Sequence, residues 1–152
     1  MFFVLSRGLK DIGHARKLRK EVFVEEQGVS IKLEQDSKDE DAYHLVLFND
    51  GVAIGVGRIL LEGDIAILGR IAIKKEYRCD GYGGVLLMKL IERAKNEFGM
   101  KSIELHSQVD VVGFYKKYGF EEVGHQYLEA GILHQNMVLK EKDLMNYGFY
   151  EK

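Results

Sequence analysis

The stretch from Ile65 to Phe98, IAILGRIAIKKEYRCDGYGGVLLMKLIERAKNEF, constrains this chain more than any other. An apolar strand runs into a short turn rich in glycine and charge, and the turn runs into an amphipathic helix. Arg78, Gly81 and Gly83 stand in the order R-x-x-G-x-G, with Gly84 following. Glycines let a backbone approach a ligand closely and present its N–H groups. A helix starting there points its positive dipole end at the same spot. Strand, glycine turn and helix in that order form a cradle for a diphosphate.

Two familiar cradles are excluded. No Gly-Lys-Ser/Thr follows, so this is not a Walker loop. The dinucleotide fingerprint needs G-x-G-x-x-G and an acidic residue about 20 positions on. Here an arginine stands three positions before the first glycine. That order, after a strand reading IAIKKEYR, resembles the GNAT superfamily of acetyl-CoA-dependent N-acetyltransferases. A second motif, VGFYKKYGF at Val112 to Phe120, resembles the helix that follows the next strand in that superfamily. LRKEVFVEEQGV with Glu34, Asp36 and His44, and GILHQNMVLK near the end, resemble the ElaA/YjcF-like branch of bacterial GNAT proteins.

The pattern along the chain fits that resemblance. Phe2–Ser6 reads as a strand. Asp11 to about Val24 reads as a helix capped by Asp11, with Ile12, Ala15, Leu18 and Val22 on one face. Glu25 to Asp41 is dense in acid and poor in apolar anchors. Two readings stay open for it: a solvated connection, or a cover over the acceptor pocket, as the same region is in GNAT proteins. Strands follow at His44–Phe48, Val52–Leu61 and Ile65–Ile73, with a hairpin signal at Asn49-Asp50-Gly51 and a turn at Glu62-Gly63-Asp64. A helix spans about Gly83–Phe98, with Leu87, Leu90, Ile91, Ala94 and Phe98 as its core stripe and Gly99 as its stop. Then come a strand at Lys101–Ser107, a short helix at Val111–Tyr118 ended by Gly119, and strands at Phe120–Tyr127 and Ile132–Leu139. Lys140–Lys152 is a tail of one or two helical turns. The resulting α/β (α+β) order implies, by resemblance, the GNAT acyl-CoA N-acyltransferase fold: a mixed sheet of about seven strands with helices on both faces, in which strands four and five run parallel and splay.

A chain of 152 residues fits one domain. Its formal charge of −2 gives no reason to expect nucleic acid. No apolar run approaches a membrane span, and MFFVLSRG lacks the layout of a signal peptide. The single cysteine, Cys79, cannot form an internal disulfide, in keeping with a reducing cytoplasm. Met145, Tyr147, Phe149 and Tyr150 give the tail an apolar face that could bury itself in a neighbouring copy, as in a homodimer.

The resemblance implies acetyl-CoA as co-substrate, an amine as acceptor, and direct attack in a ternary complex. Backbone at Ile71, Ala72 and Ile73 would bind the pantetheine amides. Backbone from Arg78 through Cys79, Asp80, Gly81, Tyr82 and Gly83 to Gly84 would bind the diphosphate, with Phe114 and Tyr115 against the cofactor. Tyr115 would protonate the departing thiolate, because a phenol with reference pKa near ~10 is protonated at neutral pH. An N–H near Ile71 would stabilise the oxyanion. Glu26, Glu34, His106 and His134 are candidate bases, and a water chain without a dedicated base is the alternative.

Arg58 and Arg70 face each other if the hairpin turns symmetrically about Asp64. Like charges directly opposite are unfavourable, so an anion should sit over them. Either Glu25, Glu34 or Asp36 folds back to pair with them, or they grip an anionic group of the acceptor together with Glu34. No histidine spacing supports a metal, and none is assigned. A non-catalytic acyl-CoA-binding or sensing module is the competing function. A partner-binding domain with a docking acidic segment is a third.

Overall fold

The computed structural model describes residues 1–148. Seven strands form one mixed sheet: β1 (Phe2–Arg7), β2 (Tyr43–Asn49), β3 (Val52–Glu62), β4 (Ile65–Ile73), β5 (Ser102–Gln108), β6 (Glu121–Glu129) and β7 (Ile132–Leu139), in the order β1-β2-β3-β4-β5-β7-β6. β1 and β2 pair antiparallel, as do β2 and β3. β4 and β5 pair parallel, Ile65–Leu68 against Ser102–Leu105. β5, β7 and β6 are antiparallel. No helix among the described residues is long and apolar enough to cross a membrane.

The chain forms two compact units. One comprises Met1–Leu60 and Gly69–Leu90; the other comprises Leu61–Leu68 and the described part of Ile91–Lys152. In the first unit, helix α1 (Gly13–Arg19) continues as a π-helical stretch through Glu26. Ile12, Ala15, Leu18 and Val22 bury against Val46, Val56 and Ala72. The next residue along β3 from Val56 points to the opposite face. There Gly57 admits helix α3 (Tyr82–Glu92): a Cβ at Gly57 would stand 2.7 Å from Leu90 Cδ1. The sheet of this unit therefore carries α1 on one face and α3 on the other.

The second unit holds the end of α3, which continues as a π-helical stretch Arg93–Glu97, together with α4 (Val112–Lys116) and α5 (Glu141–Leu144). Ile91, Ala94, Ile103, Leu105, Phe120, Met137 and Leu139 form its buried interior.

The structure departs from the sequence reading at three places. Asp11 does not cap α1: it adopts a left-handed φ of 57°, and Ile12 holds the cap position without a side-chain bond. The helix expected to run from Gly83 to Phe98 begins at Tyr82 and loses α geometry after Glu92. Glu25–Asp41 is no uniformly solvated connection. It contains helix α2 (Ile31–Glu34), capped by Ser30, and a 3₁₀ turn at Ser37–Glu40, capped by Asp36, and it buries Glu34 and Asp39. In the tail, the Tyr147 hydroxyl donates to the Tyr118 carbonyl and the Tyr147 carbonyl accepts from Lys95, so this ring is engaged within its own chain. Phe149 and Tyr150 lie outside the described residues.

Candidate active site

β4 leads directly into the cradle. A 3₁₀ turn at Lys75–Tyr77 follows it, and Cys79 and Gly81 then take left-handed φ values of 67° and 85° before α3 starts at Tyr82. Gly81 meets that requirement without a Cβ penalty, whereas Cys79 bears it. The Cys79 thiol is free and exposed. The first helical bond runs from the Val85 N–H to the Gly81 carbonyl. The amides of Tyr82, Gly83 and Gly84 belong to the first turn, which has no intrahelical acceptors for them, and the helix dipole adds positive potential there. These amides and the two left-handed positions fit a diphosphate. Tyr82 is steadied by a hydrogen bond from the Asn49 side chain to its hydroxyl and by an edge contact with Tyr77.

The Arg78 side chain turns away from the first turn of α3. Its Nε donates to the Ile73 carbonyl at 2.8 Å, and its two terminal nitrogens grip Glu26, each at 2.8 Å. Hydrogen bonding to Arg78 holds the Glu26 carboxyl below its ordinary range. Glu26 is thus a charged clamp on the cradle arginine, and its lowered basicity suits proton abstraction poorly.

Upstream in β4, Arg70 adopts φ 53°. A non-glycine residue held there costs roughly 1–3 kcal/mol, and such local kinks re-aim the backbone beside functional sites. Its side chain is anchored accordingly: Nε donates to Glu34 Oε2 at 3.0 Å, and one terminal nitrogen donates to the Leu33 and Glu34 carbonyls and to Asp36. Arg58 donates to Asp36 at 2.7 Å and to Asp39 at 3.1 Å. Of the two readings offered for the arginines, the fold-back of Glu34 and Asp36 is the one that forms, and Glu25 takes no part that the contacts show. Arg58, Arg70 and Glu34 meet in one network through Asp36, Asp39 and Glu34, with Arg58 directed at the two aspartates and Arg70 at Glu34 and Asp36.

Sequence reasoning missed the centre of that network. Arg19 is fully buried, donating to the Glu34 carboxylate at 2.8 Å, to the Glu34 carbonyl, and to both oxygens of Asp39. Burial pushes Asp39 upward, but hydrogen bonds from Arg19 and Arg58 outweigh it and hold the carboxyl below its usual value. Asp36 is shifted the same way by Arg58 against burial. His44 donates from Nε2 to the Asp39 carbonyl; burial, with Arg19 and Arg58 nearby, lowers its pKa and keeps it neutral. The available signal was spacing: Arg19 follows Ala15 by four and Leu18 by one, a lone cation on an apolar helical face.

In the second unit, Tyr115 lies on α4 with its ring packed edge-on against Phe114 and Phe120, at 5.2 and 5.9 Å between centroids. Burial raises its pKa, so the phenol holds its proton across the physiological range. Among the base candidates, His106 is half-exposed on β5 and His134 is nearly buried on β7. Glu34 is bound into the arginine network. No group of three or more His, Cys, Asp or Glu able to hold a metal occurs among the described residues.

Comparison with known proteins places this geometry in context. The profile described as Acetyltransferase (GNAT) domain matches residues 9–141. YyaT, an uncharacterized protein of Bacillus subtilis, is 38% identical over 127 residues, covering 82% of this chain and 85% of its own. The uncharacterized N-acetyltransferase YjcF of the same organism is 32% identical over 136 residues, covering 89% and 96%. The crystal structure of Escherichia coli ElaA superposes with a TM-score of 0.81 at 24% identity, covering 91% of this chain and 99% of that one. The profile match across most of the chain, with relatives of this identity and coverage, shows that the chain belongs to the GNAT acetyltransferase family, in its ElaA/YjcF-like branch.

Proposed function

We propose that the protein transfers the acetyl group of acetyl-CoA to a primary amine by direct attack in a ternary complex. The observation that carries this reading is the turn from Arg78 to Gly84. Left-handed Cys79 and Gly81 lead into the first turn of α3, whose amides have no intrahelical acceptors, after a strand with a left-handed residue at Arg70. In this reading backbone at Ile71, Ala72 and Ile73 takes the pantetheine amides, and backbone of Arg78 through Gly84 takes the diphosphate. Phe114 and Tyr115 pack on the cofactor, and Tyr115 gives its proton to the departing sulfur. Burial keeps the Tyr115 phenol protonated, so it has a proton to give to the departing thiolate, while the raised pKa makes it a weaker acid. Arg58, Arg70 and Glu34 brace the acceptor side as a rigid charged block, which fixes the strained backbone of Arg70 beside the pantetheine position.

One observation favours a second reading, a non-catalytic acyl-CoA-binding module: the charges of Arg58, Arg70 and Glu34 are already satisfied within the protein, Arg58 by Asp36 and Asp39, and Arg70 by Glu34 and Asp36. Thiol release from acetyl-CoA over a panel of primary amines separates the two. Amine-dependent release supports transfer. Tight CoA binding with no release on any amine supports the binding module.

A further inference from the structure

β5, β7 and β6 place a set of polar side chains on one face. His106 lies opposite Asn136, Gln108 opposite His134, and His134 opposite Tyr127, and directly opposed residues share a face. His134 Nδ1 is 2.7 Å from the Ile132 carbonyl. A carbonyl only accepts, so Nδ1 carries the hydrogen, and in the neutral ring Nε2 is a bare lone pair. That lone pair faces Glu129 Oε2 at 3.7 Å, while His106 Nδ1 faces Glu129 Oε1 at 3.9 Å. Both gaps exceed a direct N–H···O hydrogen bond. Two acceptors that face each other across such a gap repel unless a donor stands between them.

The remaining contacts hold this arrangement open. The Tyr127 ring stacks on His134 at 6.1 Å and meets His106 edge-on at 6.1 Å. Its hydroxyl donates to Asn136 Oδ1 at 2.5 Å, so the phenol is engaged there and not with either imidazole or the carboxylate. Glu129 is half-exposed and reachable from solvent, while His134 is largely covered.

We propose that Glu129, His134 and His106 form the binding site for the acceptor's ammonium group, a primary aliphatic amine, with His134 as the base that deprotonates it. This rests on the N-acetyltransferase reading above. An ammonium carries N–H donors for the Glu129 carboxylate and for His134 Nε2, and its positive charge suits the carboxylate. The ammonium passes one proton to His134 Nε2, and Glu129 stabilises the imidazolium that results. The freed nitrogen lone pair forms the C–N bond to the thioester carbonyl carbon while the C–S bond breaks. The thiolate takes its proton from Tyr115, the second proton leaving nitrogen restores Tyr115, and the His134 imidazolium releases the first proton to solvent. The sum is one ammonium and one thioester converted to one amide, one thiol and one released proton.

The test uses the full chain labelled with ¹⁵N-histidine, and propylamine, phenethylamine and Nα-acetyl-lysine amide as probes. At least one amine is expected to shift both the His106 and His134 imidazole signals. In Glu129→Gln, whose position is exposed and tolerates the change, that amine should bind roughly ten- to hundredfold more weakly, the size of a lost hydrogen bond to a charged group. His134→Gln should lower kcat/KM for the amine by about a hundredfold or more, as loss of a general base does, with KM for acetyl-CoA unchanged. Absence of any imidazole shift with all three amines overturns the site, whether or not acetyl-CoA is consumed. Normal amine kinetics in both variants also overturns it while leaving the acetyltransferase reading intact. Failure of CoA to bind, seen by calorimetry on the same sample, overturns the acetyltransferase reading instead; a Glu129-dependent imidazole shift then upholds the ammonium site without the transfer step.

Discussion

Replacement of Arg19 by Met tests the buried ion cluster. The guanidinium makes four hydrogen bonds: two to Glu34 and two to Asp39. All three side chains are 0–1% exposed. Breaking a buried pair from one side costs about 3–5 kcal/mol, because the surviving charge is left in the interior. Glu34 keeps Arg70, and Asp39 keeps Arg58 and Arg16, so the loss belongs near the lower end, about 3 kcal/mol. Against a total of roughly 5–15 kcal/mol that is a large fraction. For a chain of this length it lowers Tm by roughly 6–12 °C. Urea unfolding followed by circular dichroism measures it, with an unchanged m showing that only stability moved. By contrast, loss of the partly exposed Arg93–Glu97 pair should cost about 0.5 kcal/mol at most. If Arg19→Met costs less than about 1 kcal/mol, the cluster does not pin the acidic segment, and the account of Arg70's strained backbone loses its anchor.

Tyr115→Phe should lower kcat by about tenfold or more with little change in acetyl-CoA affinity; pre-steady-state thiol release checks it. Glu26→Gln frees Arg78 from its clamp and should tighten CoA binding by up to about fivefold at low salt, read by calorimetry, since exposed ion pairs of this kind are worth about 1 kcal/mol or less. Stability should fall on acidification in two stages, read as the urea midpoint against pH. His44, neutral in the fold with its pKa lowered, contributes fully above the unfolded value of about 6.5, and this contribution erodes as pH falls toward the folded value. Asp36 and Asp39, lowered by their arginines, contribute fully above about 4 and lose it as pH falls further. His44→Leu should remove the first stage alone.

What could be read in the sequence was local or repetitive. The strand Ile65–Ile73 and the strand Ile132–Leu139 appear with the residues expected, because apolar alternation and turn chemistry fix both ends. Asp50 and Gly51 both take left-handed φ, which the Asn-Asp-Gly hairpin signal requires. The misreadings are tertiary in origin. Asp39 looks like a solvated acid until Arg19, 20 residues away, supplies its partner. Asp11 looks like a cap until the backbone puts it in the left-handed region. Arg70's conformation had no local signal, since an arginine between Gly69 and Ile71 reads as ordinary strand. The polar set on β5, β7 and β6 needed the strand register, which brings His106, Glu129 and His134 together from positions 23 and 28 residues apart only once β7 lies between β5 and β6.

The central claim is that the amides between Arg78 and Gly84 hold the diphosphate of CoA. Calorimetric titration of CoA into the wild-type chain and into Gly83→Asp, which sets a carboxylate among those amides, tests it most directly. The account predicts saturable binding to the wild type and at least about a tenfold loss in the variant, from like-charge repulsion at the helix start. Equal affinity for both proteins, or no binding to the wild type, would contradict it.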